Sequence, residues 1–117
     1  MIKKAGIKVL NTKFFKDQRG EFFEIYNKKR FNKIGIKENF VQDSISISKK
    51  NVLRGLHYTI FKPQSQLLTV LDGVIFDCIV DLRKNSKTFK KAFTFILSDK
   101  ENNQIYMPPG MAHGFCV

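Results

Sequence analysis

His57 and His113 are the only imidazoles in the 117 residues, so they are the only unperturbed side chains able to exchange protons near neutral pH. His57 lies in Arg54-Gly55-Leu56-His57-Tyr58, and His113 in Pro108-Pro109-Gly110-Met111-Ala112-His113-Gly114-Phe115. Both have glycine close by and a turn next to them, where a backbone approaches a ligand closely. A histidine in an apolar strand is otherwise most often a packing residue, so spacing alone leaves both readings open. As metal ligands the pair is poor. His57 is followed by Tyr58 and Thr59, which gives no His-x-His pair, and no carboxylate occurs between Ile60 and Leu71. Zinc and iron need a fuller donor set. The expected chemistry is a histidine base working without metal or cofactor.

The elements that must position these residues read as strands almost throughout. Ile7–Phe15 is broken by Lys16-Asp17-Gln18-Arg19-Gly20, a polar stretch ending in glycine that suits a tight reversal, and Glu21–Tyr26 follows. Lys28–Gly35 is the one place where helix competes, for a turn or two closed by Gly35. Asn39–Ser48 alternates in polarity, as a half-buried strand does. Val52–Tyr58 and Gln66–Leu71 are further strands, Asp72-Gly73 marks a hairpin turn, and Val74–Leu82 is a long apolar strand. Thr88–Leu97 alternates again. Ser98–Asn103 is a polar loop, Gln104–Met107 a short strand, and Gly114–Val117 the start of another. Many short strands with closely spaced turn signals predict an all-β sandwich or barrel in a single domain over residues 1–117. The apolar run Phe115-Cys116-Val117 at the end of the chain leads us to expect a domain that is incomplete at its C-terminal side.

Bulk properties narrow the partners. No apolar run approaches the ~20 residues that span a bilayer, and the N-terminal MIKKAGIKVL has neither an unbroken apolar core nor a small-residue cleavage site. Cys78 and Cys116 are therefore expected as free thiols in a reducing cytoplasm. The net charge of +11 admits three readings: a lysine-rich solvated surface, a small anionic ligand, or nucleic acid. Basic residues are spread along the chain in runs of three at most, which favours the first two. Aromatic residues interleave with apolar strand positions and not with a basic stripe, so nucleic acid is not expected.

Five segments in order carry a resemblance. They are Phe15-x-Asp17-x-Arg19-Gly20-x-Phe22-x-Glu24, then Phe40-Val41-Gln42-x-Ser44-x-Ser46, then Leu53-Arg54-Gly55-Leu56-His57-Tyr58. After them come Val80-Asp81-Leu82-Arg83-x-x-Ser86-x-Thr88-Phe89 and Pro109-Gly110-x-Ala112-His113-Gly114-Phe115. In order and spacing the series resembles the dTDP-4-dehydrorhamnose 3,5-epimerase family, from about Phe14 to the last residue. The resemblance implies a cupin-like double-stranded β-helix (jelly roll), no cofactor and no metal, and proton abstraction next to the ketone of a nucleotide-linked 4-keto-6-deoxy sugar. It implies that His57 is the base, with Asp81 as an orienting or pocket carboxylate. Arg19 and Glu24 are implied to contact the nucleotide, with Arg54 close to the diphosphate, where a guanidinium makes the bidentate contact that lysine cannot. Gln42 is implied to bind substrate and His113 to be a second pocket histidine. A homodimer is implied too, paired through N-terminal strands and sharing residues across the site.

The departures from the family pattern are specific. Thr59 stands where the family has Gln, and Ser44 where it has Asn. Gln66 falls at the place of a lysine that steadies the enolate oxygen, and an amide brings no charge to that task. The family's acid tyrosine and the aspartate that pairs with the base both lie beyond the Pro-x-Gly-x-Ala-His-Gly-Phe motif. A sugar-nucleotide ketoisomerase and a catalytically impaired sugar-nucleotide-binding cupin are therefore the alternatives.

Overall fold

The computed structural model describes residues 1–117. Ten strands and one short helix follow in order. β1 (Ile2–Lys4) and β2 (Ile7–Leu10) form a hairpin, as do β3 (Phe14–Asp17) and β4 (Gly20–Phe23). Then come α1 (Lys28–Lys33), β5 (Leu53–His57), β6 (Gln66–Thr69), β7 (Val74–Asp81), β8 (Ala92–Ser98), β9 (Gln104–Met107) and β10 (Met111–Cys116). One four-stranded antiparallel sheet has the order β1-β2-β9-β6 and the other β5-β10-β7-β8. The all-β expectation holds, and the arrangement is the cupin-like jelly roll.

Period-two burial builds the sandwich. Along β7, Ile75, Asp77, Ile79 and Asp81 point inward while Val74 and Phe76 point out. Ile75, Ile79, Leu97 and Met111 of one sheet meet Ile7, Val9, Ile105 and Met107 of the other, and this is the main core. Tyr106, between Ile105 and Met107, faces the opposite way. It joins Leu10, Phe31 and Ile36 in a second cluster under α1. Asn27 caps α1 by accepting from the Arg30 backbone N–H at 3.0 Å, and Gly35, at φ +86°, ends the turn as its position in the sequence predicts.

The β3–β4 hairpin is a separate two-stranded arm. Its root is held by consecutive residues of the core sheet's margin. Asn103 accepts from the Thr12 backbone N–H at 2.8 Å and donates to the Thr12 hydroxyl at 2.6 Å. Gln104, fully buried, donates to the Ile25 carbonyl at 2.6 Å and to the Thr69 hydroxyl at 3.0 Å. Two neighbouring amides thus grip both ends of the arm.

Three expectations change. Asn39–Ser48 forms no strand: Val41, Ile45 and Ile47 are 94%, 79% and 92% exposed, and no strand lies beside them. Alternation suits a strand, but a ladder needs a partner. Asp72-Gly73 joins two different sheets, because β6 pairs with β9 while β7 pairs with β10 and β8, so it is a crossover and not a hairpin. Thr88 belongs to the turn before β8, where its hydroxyl is drawn to Asp81.

The most constrained contact in the fold is that of β5 with β10. A Cβ on Gly55 would lie 2.6 Å from the His113 carbonyl oxygen, and one on Gly114 would lie 2.7 Å from that of Arg54. The register shifts between His113 and Phe115, and the irregularity leaves His57 paired with His113. We expect Gly114→Ala to cost about 1–3 kcal/mol of stability by forcing these strands apart, measurable by urea denaturation. An unchanged midpoint would show that the strands yield freely.

Candidate functional site

The paired strands place both histidines on one stretch of sheet, and they differ in setting. His57 ends β5 and is exposed. It lines a small pocket with Tyr58, Thr59, Pro63, Gln64, Gln66, Gly110 and Met111. All of these are uncharged. Amide and hydroxyl groups from the β5–β6 loop thus face the imidazole, with the turn before β10 as the opposite wall.

His113 is largely buried, and its Nε2 lies 2.6 Å from Oδ2 of Asp77, which is fully buried. Asp77 pairs with Phe115 across β7 and β10, two residues along from His113, so the two side chains share the inward face. A carboxylate only accepts, so the proton of the neutral ring belongs on Nε2, which leaves Nδ1 as an acceptor. The other Asp77 oxygen is buried without a partner. Asp77 was not among the expected site residues. Its signal was available, because Phe-Asp-Cys-Ile-Val-Asp sets two carboxylates four apart in an apolar strand, hence on one face. An inward acid in such a strand needs a partner.

Asp81, the acid singled out from the sequence, has both oxygens committed elsewhere. Oδ1 accepts from the Arg83 backbone N–H at 2.9 Å and from its Nε at 3.0 Å. Oδ2 accepts from Arg83 Nη2 at 2.9 Å and from the Ser86 and Thr88 hydroxyls at 2.6 Å each. The Arg83 guanidinium, more than the two hydroxyls, holds the carboxyl well below the usual carboxylate range against the opposing effect of burial. The geometry therefore places Asp81 in a turn-fixing network and not beside an imidazole.

The other expected residues divide into two sets. Gln66 shares the His57 pocket, and Arg54, on the same strand as His57, donates from Nε to the Ser48 hydroxyl at 2.9 Å. Arg19 and Glu24 lie on the arm and at its base. Arg19 chelates Asp17 through Nε and Nη2 at 3.1 and 2.5 Å, and Glu24 accepts from Arg30 at 3.1 Å and Asn27 at 3.2 Å. Gln42 and Ser44 bond to each other at 3.3 Å in the exposed, unpaired segment. None of these four lines the His57 pocket. No three His, Cys, Asp or Glu side chains converge as a metal site would require.

A family model described as dTDP-4-dehydrorhamnose 3,5-epimerase matches residues 2–117. The chain belongs to the dTDP-4-dehydrorhamnose 3,5-epimerase family. It is 43% identical over 110 residues to the dTDP-4-dehydrorhamnose 3,5-epimerase of Methanothermobacter thermautotrophicus, covering 94% of this chain and 60% of that protein. To the Salmonella typhimurium enzyme it is 47% identical over 109 residues, covering 92% and 60%. The chain thus spans about three-fifths of the length of these curated relatives. Among solved structures, the Bacillus anthracis 3,5-epimerase with TDP and PPi bound superposes with a TM-score of 0.92 at 41% identity, covering 99% of this chain and 68% of that one. The Legionella pneumophila epimerase in complex with dTDP-4-keto-L-rhamnose gives 0.90 at 44% identity, covering 95% and 60%. Members of the 3,5-epimerase family are sugar-nucleotide isomerases.

Two outcomes follow from the two acids. In long-range ¹H–¹⁵N spectra, neutral His113 carries its proton on Nε2, and Asp77→Ala removes that preference; a mixed tautomer in the parent chain would contradict the geometry. For Asp81 the folded value is depressed. Its stabilisation is therefore present above the unfolded carboxylate range near 4 and is lost as pH falls through the folded value. Asp81→Asn should cost about 3 kcal/mol at pH 7, and urea titrations should show the gap to the parent narrowing below about pH 4.

Proposed function

We propose that this chain carries the base and the sugar pocket of an epimerase acting on a dTDP-linked 4-keto-6-deoxy sugar. The observation that carries the reading is the register of His57 opposite His113, one facing an open polar pocket and the other backed by buried Asp77. His57 takes the proton from a carbon next to the C4 ketone, and the electron pair moves into an enolate. Return of a proton to the opposite face of that carbon inverts it. Uncharged pocket groups suit a sugar ring, whose hydroxyls both donate and accept. Nucleotide recognition falls to the cationic Arg19 and Arg54 with Glu24, and sugar contacts to Gln42, Ser44, Gln66 and His113.

We assign the working form as a homodimer in a reducing cytoplasm. The arm bearing Arg19 stands clear of its own His57 pocket, which suits a reach into a second copy. On the outer face of the β5-β10-β7-β8 sheet, Leu53, Leu56, Val74, Phe76 and Ile96 are 48–72% exposed, a patch of the kind that partners cover. Cys78 and Cys116 are free thiols, which fits a reducing compartment. No helix is long and apolar enough to cross a membrane.

One observation favours a second reading, binding without turnover. Gln66 faces the pocket where a developing oxyanion needs charge, and a neutral amide serves it less well. The two readings part in D₂O. With dTDP-4-keto-6-deoxyglucose, the epimerase reading expects deuterium at C3 and C5 by NMR. His57→Asn should slow that exchange by about 100-fold or more and leave the melting temperature unchanged, since His57 is exposed. Bound substrate that keeps protium at both carbons would leave only the binding reading. A ketone found at a new carbon would instead mark a ketoisomerase.

A further inference from the structure

The Asp81 network does more than close a turn, because its arginine reaches the wall of the His57 pocket. Arg83 is held in a fork, Nε to Oδ1 and Nη2 to Oδ2 of a fully buried carboxylate, so its side chain has one orientation. From there Nη2 also donates to the Ala5 carbonyl at 2.8 Å, in the turn between β1 and β2. Its aliphatic stem lies flat on Gly110: a Cβ there would sit 2.5 Å from Arg83 Cγ and 3.3 Å from Cδ. Gly110 itself is at φ +91°, and its carbonyl accepts from the Leu82 backbone N–H at 3.0 Å. On the far side of the same turn, Pro108 packs on Gly6, whose Cβ would lie 3.2 Å from Pro108 Cγ.

Three segments distant in sequence are therefore clasped by one side chain: the β1–β2 turn, the start of the β7–β8 connection, and the turn before β10. The last of these supplies Gly110 and Met111 to the pocket. Asp81 does not need Arg83 for its own satisfaction alone, since Ser86 and Thr88 also donate to it. The main chain also ties the wall to β7, since Met111 is the ladder partner of Asp81 and Gly110 accepts from Leu82. What Arg83 adds is a side-chain clamp from that carboxylate across the face of Gly110 to the β1–β2 turn.

We propose that Arg83 is a positioning residue that sets where the Gly110–Met111 wall stands relative to His57, without touching the ligand. Gly110 is its counterpart, glycine because the stem occupies the space a side chain would take. The specificity consequence rests on the reading that the His57 pocket receives the sugar, and the wall position itself does not.

The test compares Arg83→Met, which keeps the stem and loses the fork, with Ile36→Val, a change in the second cluster under α1, which holds no residue of the pocket. With each protein fully folded, the Met111 methyl and His57 C2–H resonances are recorded without ligand. Both are expected to shift in Arg83→Met and to stay in place in Ile36→Val. Affinity for dTDP-4-keto-6-deoxyglucose, by calorimetry, should then fall about tenfold or more in Arg83→Met only. If Arg83→Met does not fold, Arg83→Lys takes its place, with the same shifts expected. Unmoved resonances in the folded Arg83 variant, or equal shifts in Ile36→Val, overturn the proposal. Resonances that move while the parent chain binds no sugar nucleotide uphold the positioning role and refute the sugar-pocket reading.

Discussion

The closest backbone contact in this fold is also the one that decides where its two histidines stand. Two glycines facing each other across β5 and β10 let the strands approach to a distance no side chain at either place would tolerate. The irregular register that results sets His57 opposite His113. Main-chain hydrogen bonds of a regular ladder would hold the strands at a fixed spacing, with each side chain's neighbour decided by parity alone. A local irregularity re-aims a side chain at small cost. Gly55 and Gly114 therefore set the placement of both imidazoles even though neither has a side chain to contribute.

Around that contact, polar groups are spent on position. Asp77 orients His113, Asp81 fixes Arg83, and Asn103 and Gln104 hold the arm. Each of these four is buried, and a buried polar group costs free energy unless it is paired. The pairing is with backbone or with a neighbour already fixed, so rotamers are locked and the geometry does not drift. By contrast, the residues expected to meet a ligand directly, His57, Arg19, Gln42 and Gln66, are exposed. Apart from His113, which is largely buried against Asp77, the fold separates buried positioning groups from open contacting ones.

Much of this was legible in the residues. The strand-rich alternation, the lone helix closed by Gly35 and the two glycine-flanked histidine motifs all translate directly into what the molecule shows. The misreadings have a common cause: alternation and turn residues are local, while pairing is not. Val41, Ile45 and Ile47 alternate as a strand would, yet nothing in their own segment says whether a neighbour is present. Asp72-Gly73 turns the chain, but which sheet each flank joins is decided by β9 and β10, over thirty residues further on in the sequence. The expectation for Asp81 was local in the same way, and it left Asp77 unnoticed. Both lie on the inward face, and only the arrival of His113 on one side and Arg83 on the other gives them different roles.

The arm's attachment has a mechanical consequence. From Thr12 to the tip near Arg19 the hairpin runs roughly 20 Å at strand rise, and it is anchored at one end only, through the Asn103 and Gln104 amides and the contacts of Glu24 with Asn27 and Arg30. A lever of that length converts a tilt of about 10° at the root into roughly 3–4 Å at the tip, more than the whole length of a hydrogen bond. Angular tolerance at Asn103 and Gln104 therefore limits how accurately a guanidinium can be delivered elsewhere. Two uncharged, buried residues at the root thus govern the reach of Arg19 at the tip.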